Sequence, residues 1–215
     1  GTYKVYKDKL KSFVSAMRER FGEDFAFYNI QLSSHAAMAD AWPDLPGVRA
    51  AQLDAYYEIP NSYLICSMDV GWQLRTPEED PAHPYDKLTL GKRLAQIALC
   101  EEYGSDKYQL EYVSSPIPSE IKWKSNSVEI KFINVGDGLY SNISNVTGFR
   151  IHNTEGFAFA AQAKITGKDT VEVTIDRDNI TAVSYGYSVS ALPEEACLAN
   201  SEQVPALTFL MNKDS

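Results

Sequence analysis

The sequence lacks the features of a membrane, nucleic-acid-binding or metal-binding protein. No apolar run approaches the ~20 residues that a membrane-spanning helix needs. The net charge is -9 and the lysines and arginines are scattered, so the chain has no basic surface for a phosphate backbone. The three cysteines show no CxxC spacing and no nearby histidine, which favours free thiols over a metal site. The first residues contain no apolar signal core, so they do not indicate a compartment.

The first half of the chain alternates between helical and strand-like patterns. Apolar residues that repeat at three and four positions predict a helix that ends at Gly22, and later ones predict a helix that Asp86 caps and Gly104 closes. The predicted order is helix 3–21, strand 25–32, helix 48–58, strand 62–68 and helix 87–103. Such alternation is typical of an open α/β sheet with parallel strands, of which two strands form only a part.

The period of the apolar pattern changes to two after Gly104. Turn clusters such as Gly136–Gly138 and Thr166–Lys168 separate the apolar segments. The predicted strands are 109–114, 121–124, 127–133, 149–152, 157–165, 170–175 and 182–187. About seven short strands with regular turns predict an antiparallel β-sandwich. We therefore expect an α/β domain over residues 1–105 and a β-sandwich domain over residues 106–215.

The segment Asp80–Pro84 carries the strongest chemical signal. A carboxylate three residues before a histidine, in a proline-stiffened loop that opens a helix, is how one large class of serine esterases presents its general base. No matching nucleophile is recognisable. Ser33, Ser34 and His35 follow a predicted strand, but they have no G-x-S-x-G elbow, and adjacent residues lack the facing geometry of a nucleophile and base. We interpret them as a polar loop, and we expect His152, beside a predicted turn, to be exposed.

Several separate segments resemble sialate O-acetylesterases, which belong to the SGNH class of serine hydrolases. In the first half these are Phe27–Leu32, Trp42, Val48–Gln52, His83-Pro84 with Lys87, and Gly91–Ala95, and in the second half Thr147–Ile151, Ala182–Tyr187, Leu198–Asn200 and Val204–Phe209. The resemblance covers nearly the whole chain and implies an SGNH-type, flavodoxin-like open parallel sheet followed by the family's C-terminal β domain.

The resemblance implies a carbohydrate O-acetylesterase that removes acetyl groups from sialic acid without a metal or cofactor. His83 corresponds to the general base of a Ser-His-Asp triad. The family's carboxylate commonly stands two positions before the histidine, where this chain has Pro81. Asp80, three positions back as in the broader SGNH class, is the first candidate, and Glu79 is the second. In the family, the nucleophilic serine and the oxyanion-hole residues belong to upstream sequence blocks that are not found in these 215 residues. We therefore expect the chain alone to be weakly active or inactive.

The positions of several polar residues suggest where the substrate binds. Gln31, after a predicted strand, and Gln52, on the next helix, are candidate sugar contacts, and a structural hydrogen-bonding role is an equal alternative for both and for Arg49. Asp69 either bonds to the backbone or supports His83.

Half of a parallel sheet leaves an unpaired edge, so we expect a homodimer or pairing with a missing N-terminal segment. A stable monomer in size-exclusion chromatography would argue against this. The family implies a secreted, periplasmic or lysosomal protein.

Two other functions remain open from the sequence. One is a non-catalytic carbohydrate-binding or interaction module, because β-sandwiches also serve as lectins and scaffolds. The other is an esterase of the acetyl-xylan type. A G-[QE]-S-N-like block upstream in the gene would favour an enzyme, whereas glycan binding by residues 106–215 alone would favour the module.

Overall fold

The computed structural model describes residues 2–34, 43–70, 84, 86–189 and 197–213. Its first half confirms the predicted alternation of helices and strands. A short 3-10 helix at Thr2–Val5 leads into α1 (Tyr6–Phe21), followed by β1 (Phe27–Ile30), α2 (Leu45–Glu58), β2 (Ser62–Ile65) and α3 (Lys87–Glu101). Within the described ranges, no helix has the length and apolar character that would let it span a membrane.

Strands β1 and β2 form a parallel pair, as predicted for the α/β half. Phe27 lies opposite Ser62 and Ile30 lies opposite Ile65. The rings of Tyr28 and Tyr63 stack across the pair at 5.1 Å between centroids. Because the strands are parallel, their carboxyl ends meet at one edge, where ligands bind in open α/β sheets.

Helix α1 ends where the sequence predicts. Gly22 has a positive φ of 69° and its N–H donates to the Arg18 carbonyl, which closes the last turn. The apolar face of α1 is only partly covered, however. Val14 is buried, whereas Phe13 is 54% exposed and Phe21 is 64% exposed.

The second half consists of one short helix and two antiparallel sheets. Its elements are α4 (Leu110–Val113), β3 (Ile117–Trp123), β4 (Ser127–Ile133), β5 (Phe149–Asn153), β6 (Ala158–Ala160), β7 (Ala163–Ile165), β8 (Thr170–Thr174), β9 (Ile180–Tyr185) and β10 (Phe209–Asn212). The order of one four-stranded sheet is β3-β4-β8-β7, and that of the other is β10-β9-β5-β6. Apart from α4, the regular secondary structure described in this half is therefore antiparallel β structure.

Two predicted strands of this half are wrong. Residues 109–114 contain the helical turn α4, because Val113 packs into the apolar cluster beneath α3 instead of pairing with a strand. The predicted strand 157–165 is two strands in different sheets, with the chain crossing from one sheet to the other between Ala160 and Ala163. A continuous apolar run does not reveal such a crossing.

The two antiparallel sheets share one core, which also includes residues of the first half. Phe132 of β4 and Phe209 of β10 pack with ring centroids 6.1 Å apart, so the sheets face each other. Leu53, Leu64 and Met68 belong to the same buried cluster. The two halves are therefore packed together, and a domain boundary at residue 105 stays a prediction.

The cap of α3 leads to a pH-dependent prediction. Asp86 accepts hydrogen bonds from the Thr89 hydroxyl and from the Thr89 N–H at 2.9 Å, and these bonds lower the pKa of its carboxyl below the usual 3.8. A lowered carboxyl pKa contributes stability above the unfolded-state pKa, and this stability is lost as the pH falls through the folded-state pKa. We expect Asp86→Ala to lower the melting temperature at pH 7 and to cost progressively less below about pH 4. Equal differences in thermal unfolding at pH 7 and pH 3 would contradict this.

Candidate active site at the carboxyl edge of the parallel strands

Hydrogen bonds hold the chain segments after β1 and β2 side by side. The Gln31 N–H donates to the Ile65 carbonyl at 2.9 Å, and the Ser67 hydroxyl donates to the Gln31 carbonyl at 2.5 Å. Gln31 and Ser67 are both fully buried. These bonds therefore hold the two segments together at the carboxyl edge.

An ion pair ties the end of β2 to α3. Arg93 binds the Asp69 carboxylate through both terminal nitrogens, with Nη1–Oδ1 at 2.9 Å and Nη2–Oδ2 at 2.5 Å, and Nη1 also donates to the Cys66 carbonyl at 3.0 Å. Burial alone would lower the pKa of the Arg93 guanidinium, yet that pKa is raised because the bonds to Asp69 outweigh burial. Asp69 lies four residues after β2, before the segment that leads to α3, and Arg93 lies on α3, so the pair connects the chain on the two sides of that segment.

The catalytic candidates belong to that segment. Asp80, Glu79 and His83 lie outside the described residues, so their roles stay predictions. The described part resumes at Pro84, whose carbonyl accepts a hydrogen bond from Lys87 Nζ at 2.7 Å. Together with the Asp86 cap, this contact fixes where the segment enters α3.

Gln31 uses its whole side-chain amide for internal hydrogen bonds. Its Nε2 donates to the Arg49 carbonyl at 3.0 Å and to the Thr208 carbonyl at 2.9 Å, and its Oε1 accepts from the Thr208 N–H at 2.8 Å. The side chain therefore links β1, α2 and the segment before β10. This is the structural role that the sequence left open, and sugar contact by Gln31 stays a prediction.

Gln52 also binds the backbone. Its Oε1 accepts from the Leu32 N–H and its Nε2 donates to the Ile30 carbonyl, both at 2.9 Å. These two backbone groups are the ones that a neighbouring strand would pair with. Gln52 is 2% exposed, so in this structure it protects the edge of β1. Its predicted contact with the sugar is likewise untested.

Arg49 is the most unusual buried group near this edge. Its guanidinium is fully buried, Nη2 donates to the Ser188 carbonyl, and Nη1 lies 2.7 Å from Met68 Sδ. Burial lowers its pKa to about 10. Within the described ranges, Arg49 Nε has no hydrogen-bond partner, and neither does the hydroxyl of buried Ser34. Ser34 lies in a loop after β1, as the sequence predicts, but its side chain is buried, and His35 lies outside the described residues.

His152 is not exposed, contrary to the sequence-based expectation. It lies on β5, half-buried, with Nε2 at 2.8 Å from the Ser184 hydroxyl oxygen. Burial, followed by the charge of Arg150, lowers the pKa of its imidazole. Ser184 is fully buried, so this pair serves packing and hydrogen bonding rather than nucleophilic attack.

Sequence reasoning missed the role of Arg93. The sequence nevertheless indicates a buried position for Arg93. Residue 93 falls on the same helical face as Leu90 and Ile97, and all three are buried. A charged residue on a buried helical face needs a partner. Asp69, which follows a predicted strand, is that partner.

This pair predicts a measurable loss of stability. We expect Arg93→Met to lower the free energy of unfolding by about 2–4 kcal/mol, because it leaves the Asp69 carboxylate and the Cys66 carbonyl without a donor. Lys92→Met, at the exposed neighbouring position on α3, is the matched control and should change it little. Urea denaturation compares the variants, and equal midpoints would refute a structural role for the ion pair.

Comparison with known proteins identifies the fold. No family model and no curated protein matches the sequence. Among solved structures, the chain has the fold of part of a carbohydrate acetylesterase. That structure is described as a novel carbohydrate acetylesterase from Xanthomonas citri, and it matches with a TM-score of 0.78 and 23% sequence identity, covering 97% of this chain and 46% of that protein. The chain thus spans less than half of its structural neighbour.

Proposed function

We propose that this chain is part of a carbohydrate O-acetylesterase. The fold match over 97% of the chain carries the proposal, and that neighbour is described as a carbohydrate acetylesterase. The Arg93–Asp69 pair supports it, because it connects the chain on the two sides of the segment that contains Asp80 and His83. Within this proposal the first half belongs to an SGNH-type sheet and the second half is a β-sandwich.

The proposed reaction is acyl transfer in two steps. A serine from a segment outside these 215 residues attacks the acetyl carbonyl, and His83 takes the serine proton. The tetrahedral intermediate collapses to an acetyl-serine ester as His83 protonates the departing sugar oxygen. Water, deprotonated by His83, then attacks this ester, acetate leaves, and the serine recovers its proton. Asp80 accepts a hydrogen bond from the other imidazole nitrogen and stabilises the imidazolium.

The class of sugar is the open part of this proposal. The resemblance of the sequence favours acetylated sialic acid, and an acetyl-xylan-type substrate is the alternative. Both share the same ester chemistry and differ in the charge of the sugar. A secreted, periplasmic or lysosomal location fits an enzyme that acts on glycans.

An assay with 4-nitrophenyl acetate tests the function. We expect the 215-residue chain to hydrolyse it slowly or not at all, because the proposed nucleophilic serine belongs to a segment outside these residues. The gene product extended upstream to include a G-[QE]-S-N-like block should hydrolyse both this ester and an acetylated sugar. Rapid hydrolysis by the 215-residue chain would contradict the partial triad, and an inactive extended protein would contradict the esterase function.

A further inference from the structure

A cavity of about 220 Å³ opens at the carboxyl edge of the parallel strands. One wall is formed by Asp69, just after β2, and by Thr208, whose backbone is bonded to the Gln31 side chain just after β1. Tyr140 also lines the cavity, and its backbone forms reciprocal hydrogen bonds of 2.8 and 2.9 Å with Ala199. Both halves of the chain therefore build this cavity, at the edge where α/β sheets bind ligands.

The cavity combines the groups that bind sugars. Tyr140 is 41% exposed, so its ring offers an aromatic face for the C–H groups of a pyranose. Asn142 and Gln203 are also exposed, and their side-chain amides can each donate to and accept from sugar hydroxyls. Pro205 and Ala206 add apolar surface between these polar groups.

The charge of the cavity determines which sugar fits. Among its described lining residues there is no lysine or arginine, and Asp69 is the only charged group. The Asp69 carboxylate is paired with Arg93 but remains 33% exposed. Because Arg93 is already bound to Asp69, the carboxylate of a sialic acid would find no unpaired cation among these described residues and would lose water without a compensating partner, which is unfavourable. An uncharged sugar meets no such penalty.

We infer that this cavity is the subsite for an uncharged pyranose, the sugar part of the acetyl ester. The inference rests on the proposed esterase function and narrows its substrate class to neutral acetylated glycans. It also gives the second half of the chain a direct part in selecting the substrate, through Tyr140, Asn142 and Gln203.

A binding experiment on the 215-residue chain tests this without catalysis. The chain, labelled with ¹⁵N, is titrated separately with xylotriose and with N-acetylneuraminic acid while amide chemical shifts are recorded. We expect xylotriose to shift the backbone amides of Tyr140, Asn142 and Gln203, and N-acetylneuraminic acid to leave them unchanged. Tyr140→Ala and Asn142→Ala should each weaken xylotriose binding about tenfold, the equivalent of one lost sugar contact.

The controls are exposed residues of the same types outside the cavity. Tyr103→Ala and Asn126→Ala should bind xylotriose like the unmodified chain. Stronger shifts with N-acetylneuraminic acid, or no shift of the cavity amides with xylotriose, would overturn the inference. Xylotriose binding at these residues in a protein whose extended form releases no acetate would uphold the subsite and refute only the esterase function.

Discussion

Replacing Gln31 by methionine is expected to lower the free energy of unfolding by about 3–5 kcal/mol. Methionine has nearly the same length, so the change removes the amide without opening a large cavity. It leaves the Thr208 N–H, the Thr208 carbonyl and the Arg49 carbonyl without partners. Since the Gln31 side chain is fully buried, water does not replace these bonds while the fold is intact.

Urea denaturation followed by circular dichroism measures this loss. Gln109→Met, at an exposed position before α4, is the matched control and should change the free energy of unfolding little. A Gln31→Met protein as stable as the control would mean that the link between β1 and the segment before β10 adds nothing.

The sequence was sufficient to predict the elements with a clear apolar period. Gly22 closes the C-terminal end of α1, and Asp86 caps the N-terminal end of α3. Each of these helix ends depends on hydrogen bonds between residues close in sequence, so both could be predicted. The parallel pairing of β1 with β2 follows from the alternation of helices and strands. By contrast, α4 is a single helical turn, and over so few residues a helical and a strand pattern are hard to distinguish.

The polar groups at the candidate site were harder to predict than the fold. The sequence places Gln31 after a strand and Gln52 on a helix, but it does not give the direction of their amides. Their partners are decided by tertiary packing, because Gln31 bonds to Thr208, far along the chain, whereas Gln52 bonds to the backbone of β1. The pairing of Arg93 with Asp69 likewise depends on how α3 docks against β2.

Replacing His83 by alanine is expected to lower kcat/KM for an acetylated sugar about 10³- to 10⁴-fold in the upstream-extended protein. Without the imidazole, no group takes the serine proton or protonates the departing sugar oxygen, and only binding and oxyanion stabilisation remain. The measurement is acetate release at pH 7 under steady-state conditions. A variant that keeps more than about a tenth of the activity would rule out His83 as the general base.

Substitutions of Asp80 and Glu79 test which carboxylate, if either, orients the His83 imidazole. We expect Asp80→Asn to lower kcat by about 10²- to 10⁴-fold with little change in KM, because an amide holds the imidazole in the wrong tautomer and cannot stabilise the imidazolium. Glu79→Gln removes one negative charge at the adjacent position, so it is the matched control and should stay within about twofold of the unmodified enzyme. If the two effects are reversed, Glu79 is the triad carboxylate. If neither variant loses activity, another group orients the histidine. The next carboxylate to test is then Asp69, the partner of Arg93.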